Sequence, residues 1–246
     1  MEIYVYPIIA LLFIGIFTRE VIAPASRNHC DRRWLIMASS LGVATVVITL
    51  FIGYVMADVI RENALFNASE VLPDVMVGIL SFLLTSFVFY WWHRATHYSD
   101  LLWRVFHQLH HSARRVEALT AFYAHPLDTA AAVLISAFSS YVVLGASPLA
   151  AAIALLITGT FDLFLHSDMC TPRWLGYFIQ RPEMHTVHHE RGHHAQNYGL
   201  PVWDGLFGTS CNPEERRLDL GFDSEKSERL TDMLLCRDVH KTSAGN

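Results

Sequence analysis

The chain is 246 residues long, 52% hydrophobic and only 17% charged, with a mean hydropathy of +0.30. Its apolar residues are gathered in long runs, which is a membrane composition and not that of a water-soluble domain. A formal net charge of -5, with 14 histidines left uncharged, and the lack of a basic stripe or base-stacking motif exclude a nucleic-acid binder.

In chain order, residues 3–18, 34–56, 75–92, 127–145 and 149–166 are apolar segments near the roughly 20 residues that cross a hydrocarbon core, the first being short for the task. That first segment is a poor signal peptide, because Glu2 precedes it and positive charge follows it, so it reads as a retained helix with its N-terminus outside. The expected fold is all-α and integral to the membrane, with four to five transmembrane helices in a single domain, residues 1–246. A cytosolic helical cap is expected over 93–125 and 167–211, and a polar C-terminal tail over 212–246.

Lysine and arginine in the connections set the orientation. Arg19, Arg27, Arg32 and Arg33 follow the first span, Arg61 alone separates the second from the third, and Arg94, Arg104, Arg114 and Arg115 follow the third. The connection 145–148 has no basic residue, and nine basic residues follow the fifth span. This alternation places residues 93–125 and everything after the fifth span in the cytosol. Cys30, Cys170, Cys211 and Cys236 are scattered, without a C-x-x-C pair, and read as free thiols. The C-terminal KTSAGN lacks a K-D-E-L signal. With the short N-terminus and compact chain, this favours a bacterial inner membrane, the endoplasmic reticulum staying open.

Twelve of the 14 histidines fall at or near that cytosolic face, while His29 and His240 stand apart and read as solvated surface residues. The chain has HRATH at 93–97, HQLHH at 107–111 and HTVHH at 185–189. On a helix, positions i, i+3 and i+4 share one face, so each motif is expected to aim its imidazoles the same way. A lone histidine is usually a packed core residue, but the same H-x-x-H-H spacing twice at one membrane face favours ligation by His107, His110, His111, His185, His188 and His189, with His93 and His97 beside them. His166, closing the fifth span in FLHSD, reads as a further ligand over a helix cap, with Asp162 one turn back as its neighbour. His125 precedes a proline that starts the fourth span, and either flanks the site or only shapes that turn. Nine imidazoles are too many for one zinc, which takes four ligands, or three and a water. Two ions with four or five nitrogens each fit. Imidazole suits iron, zinc, copper and nickel alike. Neutral nitrogen ligands at a membrane face suit two irons that activate O2 beside a lipid chain, with a di-zinc hydrolase as the alternative.

Two rivals use the same residues differently. EMHTVHHERGHHAQNYG, residues 183–199, contains H-E-R-G-H, in which His189 and His193 would hold zinc and Glu190 would be the general base of an intramembrane metalloprotease. Gly192 inside such a helix costs about 1 kcal/mol relative to alanine, and the other histidines go unexplained. A histidine-rich metal transporter is the second rival, but transport ligands lie near the bilayer midplane and these lie at its edge.

HRATHYSDLLWRVFHQLHHS (93–112), AHPLD (124–128), FLHSD (164–168) and HTVHHERGHHAQNYGLPVWDGLFGT (185–209) together resemble the fatty acid hydroxylase / sterol desaturase superfamily. The resemblance implies a membrane-bound non-haem di-iron oxygenase, its site facing the cytosol, that hydroxylates or desaturates a sterol, fatty acyl chain or polar lipid with O2 and two electrons. It implies two iron ions, with zinc as a substitute, on His93, His97, His107, His110, His111, His166, His185, His188 and His189, and no catalytic residue beyond these ligands. His125, Asp162, His193, His194, Asn197 and Asp204 would flank the ligands. Some relatives carry a further histidine one turn before the position of His166; Asp162 stands there instead, and could bind metal, hold a water or orient a ligand. C–H abstraction is the metals' chemistry, so no general base is required. No G-x-G-x-x-G fingerprint or haem domain is present, so electrons should come from an external cytochrome b5, ferredoxin or reductase.

Overall fold

A computed structural model describes residues 2–26, 31–61, 64–193 and 195–241; His29, Cys30 and His194 lie outside the described residues. The chain runs through α1 (Glu2–Ile22), α2 (Arg32–Arg61), a short turn α3 (Ala68–Val71) and α4 (Asp74–Tyr98). There follow α5 (Asp100–Leu102), a π-helical turn Trp103–His107, α6 (Gln108–His111), α7 (Pro126–Ala137) with a π-helical extension Phe138–Val143, and α8 (Pro148–Leu165). The remainder holds α9 (Pro182–His188), α10 (Pro201–Leu206), α11 (Ser224–Ser227) and α12 (Leu230–Leu234), with no strand among the described residues. Five of these helical stretches are long and apolar enough to cross a membrane: Tyr4–Ile22, Arg32–Gly53, Asp74–Tyr98, Pro126–Val143 and Pro148–Leu165. The architecture is therefore all-helical and multi-pass, and the first segment, short by sequence, reaches spanning length because its helix continues to Ile22.

The third span differs from expectation at its C-terminal end. YWWHRATHY contains no glycine or proline, so nothing breaks the helix at residue 92. It stops at Tyr98, where Ser99 turns extended (φ -107°, ψ 120°) and caps α5 by accepting from the Leu102 N–H at 3.4 Å. His93 and His97 thus belong to the spanning helix itself and not to a separate cap.

α8 packs along both α4 and α1, and α2 along α7. Small residues let these helices approach, as is usual where lipid offers no hydrophobic drive for helix association. A Cβ on Gly78 of α4 would lie 2.7 Å from Ile153 Cγ2 and 2.9 Å from the Ala150 carbonyl oxygen of α8. Outward-facing Leu11, Ile14, Val43, Phe51, Leu80 and Leu134 are exposed, as side chains meeting hydrocarbon can be.

A second apolar core lies at the histidine-bearing end. Trp34, Ala38 and Leu41 of α2 meet Leu109, Leu119 and Tyr123, and the layer is closed by Phe222, Met233 and Val239. Residues 212–241, expected as a polar tail, therefore fold back as part of the cap. Gln108 holds them there, donating to the Arg237 carbonyl at 2.8 Å and accepting from the Val239 N–H at 3.0 Å. Glu20, buried near the C-terminal end of α1, accepts from the backbone N–H groups of Ala118 (3.1 Å) and Asp168 (2.6 Å), tying the first span to the loops behind two of the histidine motifs.

Candidate metal centre

The last turns of α4 supply His93 and His97. The π-helical turn ends on His107, α6 adds His110 and His111, His166 caps α8, and α9 carries His185 and His188 with His189 at its C-cap. The nine rings gather into two groups: His93, His97, His107, His111 and His188, and His110, His166, His185 and His189. Within each group one nitrogen per ring lies within 4.8 Å of all the others. Eight of the rings are buried and His97 is partly so.

The one-sided faces expected from the spacing are not what forms. In each H-x-x-H-H motif the i and i+4 rings join one group and the i+3 ring joins the other. Side chains advance about 100° per residue, so i+3 and i+4 diverge by that angle and straddle the site when it lies between them. HQLHH gives two rings to the first group and one to the second, and HTVHH the reverse. The groups interlock, with His111 stacked on His189 at a centroid distance of 4.3 Å.

Five of the rings are held by an oxygen at Nδ1. The acceptors are the Tyr198 carbonyl for His93 (2.7 Å), Asp128 Oδ2 for His107 (3.0 Å), the Tyr123 carbonyl for His110 (3.1 Å), the Asp162 carbonyl for His166 (2.9 Å) and the Gln196 carbonyl for His188 (2.8 Å). An oxygen acceptor keeps the proton on Nδ1 and leaves the Nε2 lone pair directed into the group, the arrangement that orients metal-ligating histidine. The Nε2 atoms face one another at 2.9 Å (His93 and His107), 3.1 Å (His111 and His188), 2.9 Å (His166 and His185), 3.3 Å (His110 and His166) and 3.1 Å (His185 and His189). Where both rings keep their proton on Nδ1, as in His93 with His107 and His110 with His166, the facing lone pairs repel unless a cation lies between them. Two nitrogens each about 2.1 Å from one ion and at right angles are themselves about 3 Å apart, so the donor sets fit metal ions. Burial first, and the charge of neighbouring imidazoles second, hold His110, His111, His185 and His189 well below the ordinary histidine pKa, so these rings are neutral donors at pH 7.

The surrounding residues divide by what they touch. Asp162 stands outside both groups, half-exposed, with Oδ1 3.2 Å from His166 Nδ1, and so orients that ring. His125 accepts the Leu127 N–H at 3.1 Å as the N-cap of α7 and turns its other nitrogen toward the Leu234 carbonyl, which is the turn-forming alternative. Asp128, three residues on, is the one that reaches a candidate ligand, and sequence reasoning missed it. A carboxylate one turn into an apolar span, which demands a partner, was the available signal. Asn197 braces the loop after α9, donating to the Met184 and Cys211 carbonyls at 2.8 Å each. Asp204 accepts from Tyr198 N (2.9 Å), Gly199 N (3.1 Å) and Thr209 Oγ1 (2.7 Å), fixing the loop whose carbonyl holds His93.

The H-E-R-G-H reading fails on geometry. α9 ends at His188, Gly192 has a positive φ of 74°, Glu190 pairs with Arg217 at 3.4 Å, and His193 turns to Gln196 Oε1 at 3.1 Å. Glu190 and His193 belong to neither group. No helix continues past His189 to bring them onto one face, because glycine releases the chain into a turn.

Residues 78–209 match the fatty acid hydroxylase family. The chain is similar to the ornithine lipid hydroxylase OlsE of Rhizobium tropici, at 31% identity over 164 residues that cover 63% of this chain and 49% of that protein. It is similar to the alkylglycerol monooxygenase of Homo sapiens, at 29% identity over 52% of this chain and 29% of that one. The sphingolipid C4-hydroxylase sur2 of Schizosaccharomyces pombe is 27% identical over 51% of this chain and 44% of its own. The chain thus spans half or less of the length of these relatives. No solved structure matches it. The family match runs over more than half of the sequence and takes in every histidine of both groups, so the chain belongs to the fatty acid hydroxylase family.

Proposed function

We propose that this protein hydroxylates a lipid at an unactivated carbon, with O2 as oxidant and two iron ions held by the nine histidines. The observation that carries the reading is the partition of nine imidazoles, five of them oriented through Nδ1, into groups of five and four at the edge of the membrane. Five nitrogens exceed the tetrahedral set of zinc, and an all-imidazole environment suits iron. A bound di-iron pair supplies the redox chemistry, in which a C–H bond, O2, two electrons and two protons give an alcohol and water.

The protein's own residues hold and shield. Asp128, Asp162 and the carbonyls of Tyr198, Tyr123 and Gln196 keep the imidazoles from rotating. Trp103 lies 5.2 Å from both His97 and His111, and Tyr198 lies 5.4 Å from His97, walling the first group with aromatic rings that keep water away. A lipid substrate agrees with the spanning helices and with the named activities of the similar proteins, which include an ornithine lipid hydroxylase, an alkylglycerol monooxygenase and a sphingolipid hydroxylase. The arginine distribution supports a site facing the cytosol, where a separate cytochrome b5, ferredoxin or reductase delivers the electrons.

Lipid mass spectrometry of cells with and without the gene tests this reading. The expected result is a lipid heavier by one oxygen atom that needs air and both histidine groups. Loss of two hydrogens instead would mean desaturation, and an unchanged lipidome under aerobic conditions with a reductase present would overturn the oxygenase.

A further inference from the structure

Between Gly192 and Pro213 the chain carries no lysine or arginine and one carboxylate, Asp204, which is fully buried and accepts three hydrogen bonds. This stretch does not stay at the level of the histidines. Tyr198 lies beside His93, with ring centroids 5.6 Å apart; a Cβ on Gly199 would meet Tyr90 at 3.7 Å; and Trp203 reaches Ser86, donating from Nε1 to Oγ at 3.0 Å. The chain then turns back, with Phe207 against Tyr90 (5.3 Å) and Trp91 (4.7 Å), and Thr209 at the Tyr90 hydroxyl (2.9 Å). Ser86 lies seven residues before His93 on the spanning helix α4, and so about 10 Å deeper in the bilayer at 1.5 Å per residue. Segments that lie in a membrane interface sink about 5–10 Å into it.

α10 therefore rests along the outer side of a transmembrane helix, on aromatic residues at a depth where that helix meets lipid. Its outward side chains are apolar: Val202 is 51% and Leu206 67% exposed, and Phe207 is partly so. The 3-10 turn Arg173–Tyr177 packs against α10 and presents Trp174, Tyr177 and Phe178 to the outside, aromatic residues of the kind that sit at the headgroup level. Every backbone group of an element at this depth needs an internal partner; the Asp204 carboxylate accepts from the Tyr198 and Gly199 N–H groups before α10, and its carbonyl from the Thr209 N–H after it.

We infer that residues 200–208 form a re-entrant, lipid-embedded element whose exposed face, Val202, Leu206 and Phe207, is covered by the acyl chains of the leaflet next to the histidine groups. The occupant is lipid because the face continues the lipid-facing surface of α4 and carries no charge to pair with a protein partner. The same loop presents the Tyr198 carbonyl to His93, so its seat in the membrane and one ring's orientation are parts of one structure. The inference rests on the membrane reading alone and holds whatever reaction the site performs.

Site-directed spin labelling of the full chain in phosphatidylcholine and phosphatidylglycerol vesicles tests it. Val202→Cys and Leu206→Cys are labelled in a background with the native cysteines replaced by serine, with Leu80→Cys of α4 as the lipid reference and Glu225→Cys as the water reference. Both positions are exposed, so the label displaces no packed side chain. Collision with O2 relative to a water-soluble nickel chelate should match the lipid reference and stand several-fold above the water reference at both positions. Nickel access equal to that at Glu225 would overturn the inference by placing α10 in water. Low collision with both reagents would also overturn it, because the face would then be covered by protein, such as a second copy of the chain.

Discussion

Asp128 is a buried carboxylate inside an apolar span, and its Oδ2 accepts from His107 Nδ1 at 3.0 Å. Burial of a charge is costly unless it is paired, so the pair is as much a requirement of the membrane as of the site. Partners of ligating histidines contribute about 10- to 100-fold to metal affinity. Asp128→Asn, which removes the charge and keeps the shape, should lower iron affinity by about that factor, read as retained iron per chain against a graded chelator. Glu190→Gln is the control and should leave iron content unchanged, since Glu190 pairs with Arg217 outside both histidine groups. Eight of the nine ligand candidates were legible from spacing because three short motifs repeat one residue type, and the ninth, His166, from its place at the end of the fifth span. For Asp128 the apolar span signalled only that some partner was needed, and which one depends on a ring 21 positions earlier.

At the level of helices, the site depends on how closely α8 lies against α4, since these two deliver His166 and the pair His93 and His97 to one place. Gly78 sets that distance, with the Ala150 carbonyl oxygen 2.9 Å from where a Cβ would stand. Gly78→Val should destabilise the protein by about 1–3 kcal/mol, the cost of overpacking a close interface, seen as a lower midpoint in thermal unfolding in detergent. Gly53→Ala, where a Cβ meets nothing within 4 Å, should leave that midpoint near wild type. The five apolar stretches were readable from composition, because spanning length is fixed by the hydrocarbon thickness. Their ends were less so. Ser99 ends α4 and Gly192 prevents a helix after α9, and each acts through backbone conformation that periodicity does not register.

For the molecule as a whole, the concentration of buried imidazoles makes folding depend on acid. His110, His111, His185 and His189 are held well below 6.5 by burial and by the neighbouring imidazoles, whereas in the unfolded chain they titrate near 6.5. Below that value the unfolded state binds more protons than the folded one, so stability of the metal-free protein rises with pH through this window and falls as pH drops beneath it. The expected result is a metal-free protein whose unfolding midpoint declines from about pH 6.5 downward, while iron-loaded protein resists the same acid, because bound metal excludes the protons. A midpoint independent of pH over that range would show that the rings are not buried as neutral donors.

Membrane residence, the number of spans and the residue type of the candidate ligands were already present in the one-dimensional pattern, since each rests on composition over a window or on spacing within one helix. The division of the histidines into five and four, the service of Asp128 to His107, the folding back of residues 212–241 over α6 and the dip of α10 along α4 were decided only in three dimensions. Each depends on which elements come to lie side by side. A motif specifies directions around its own axis, and only the packing of its neighbours determines where those directions converge.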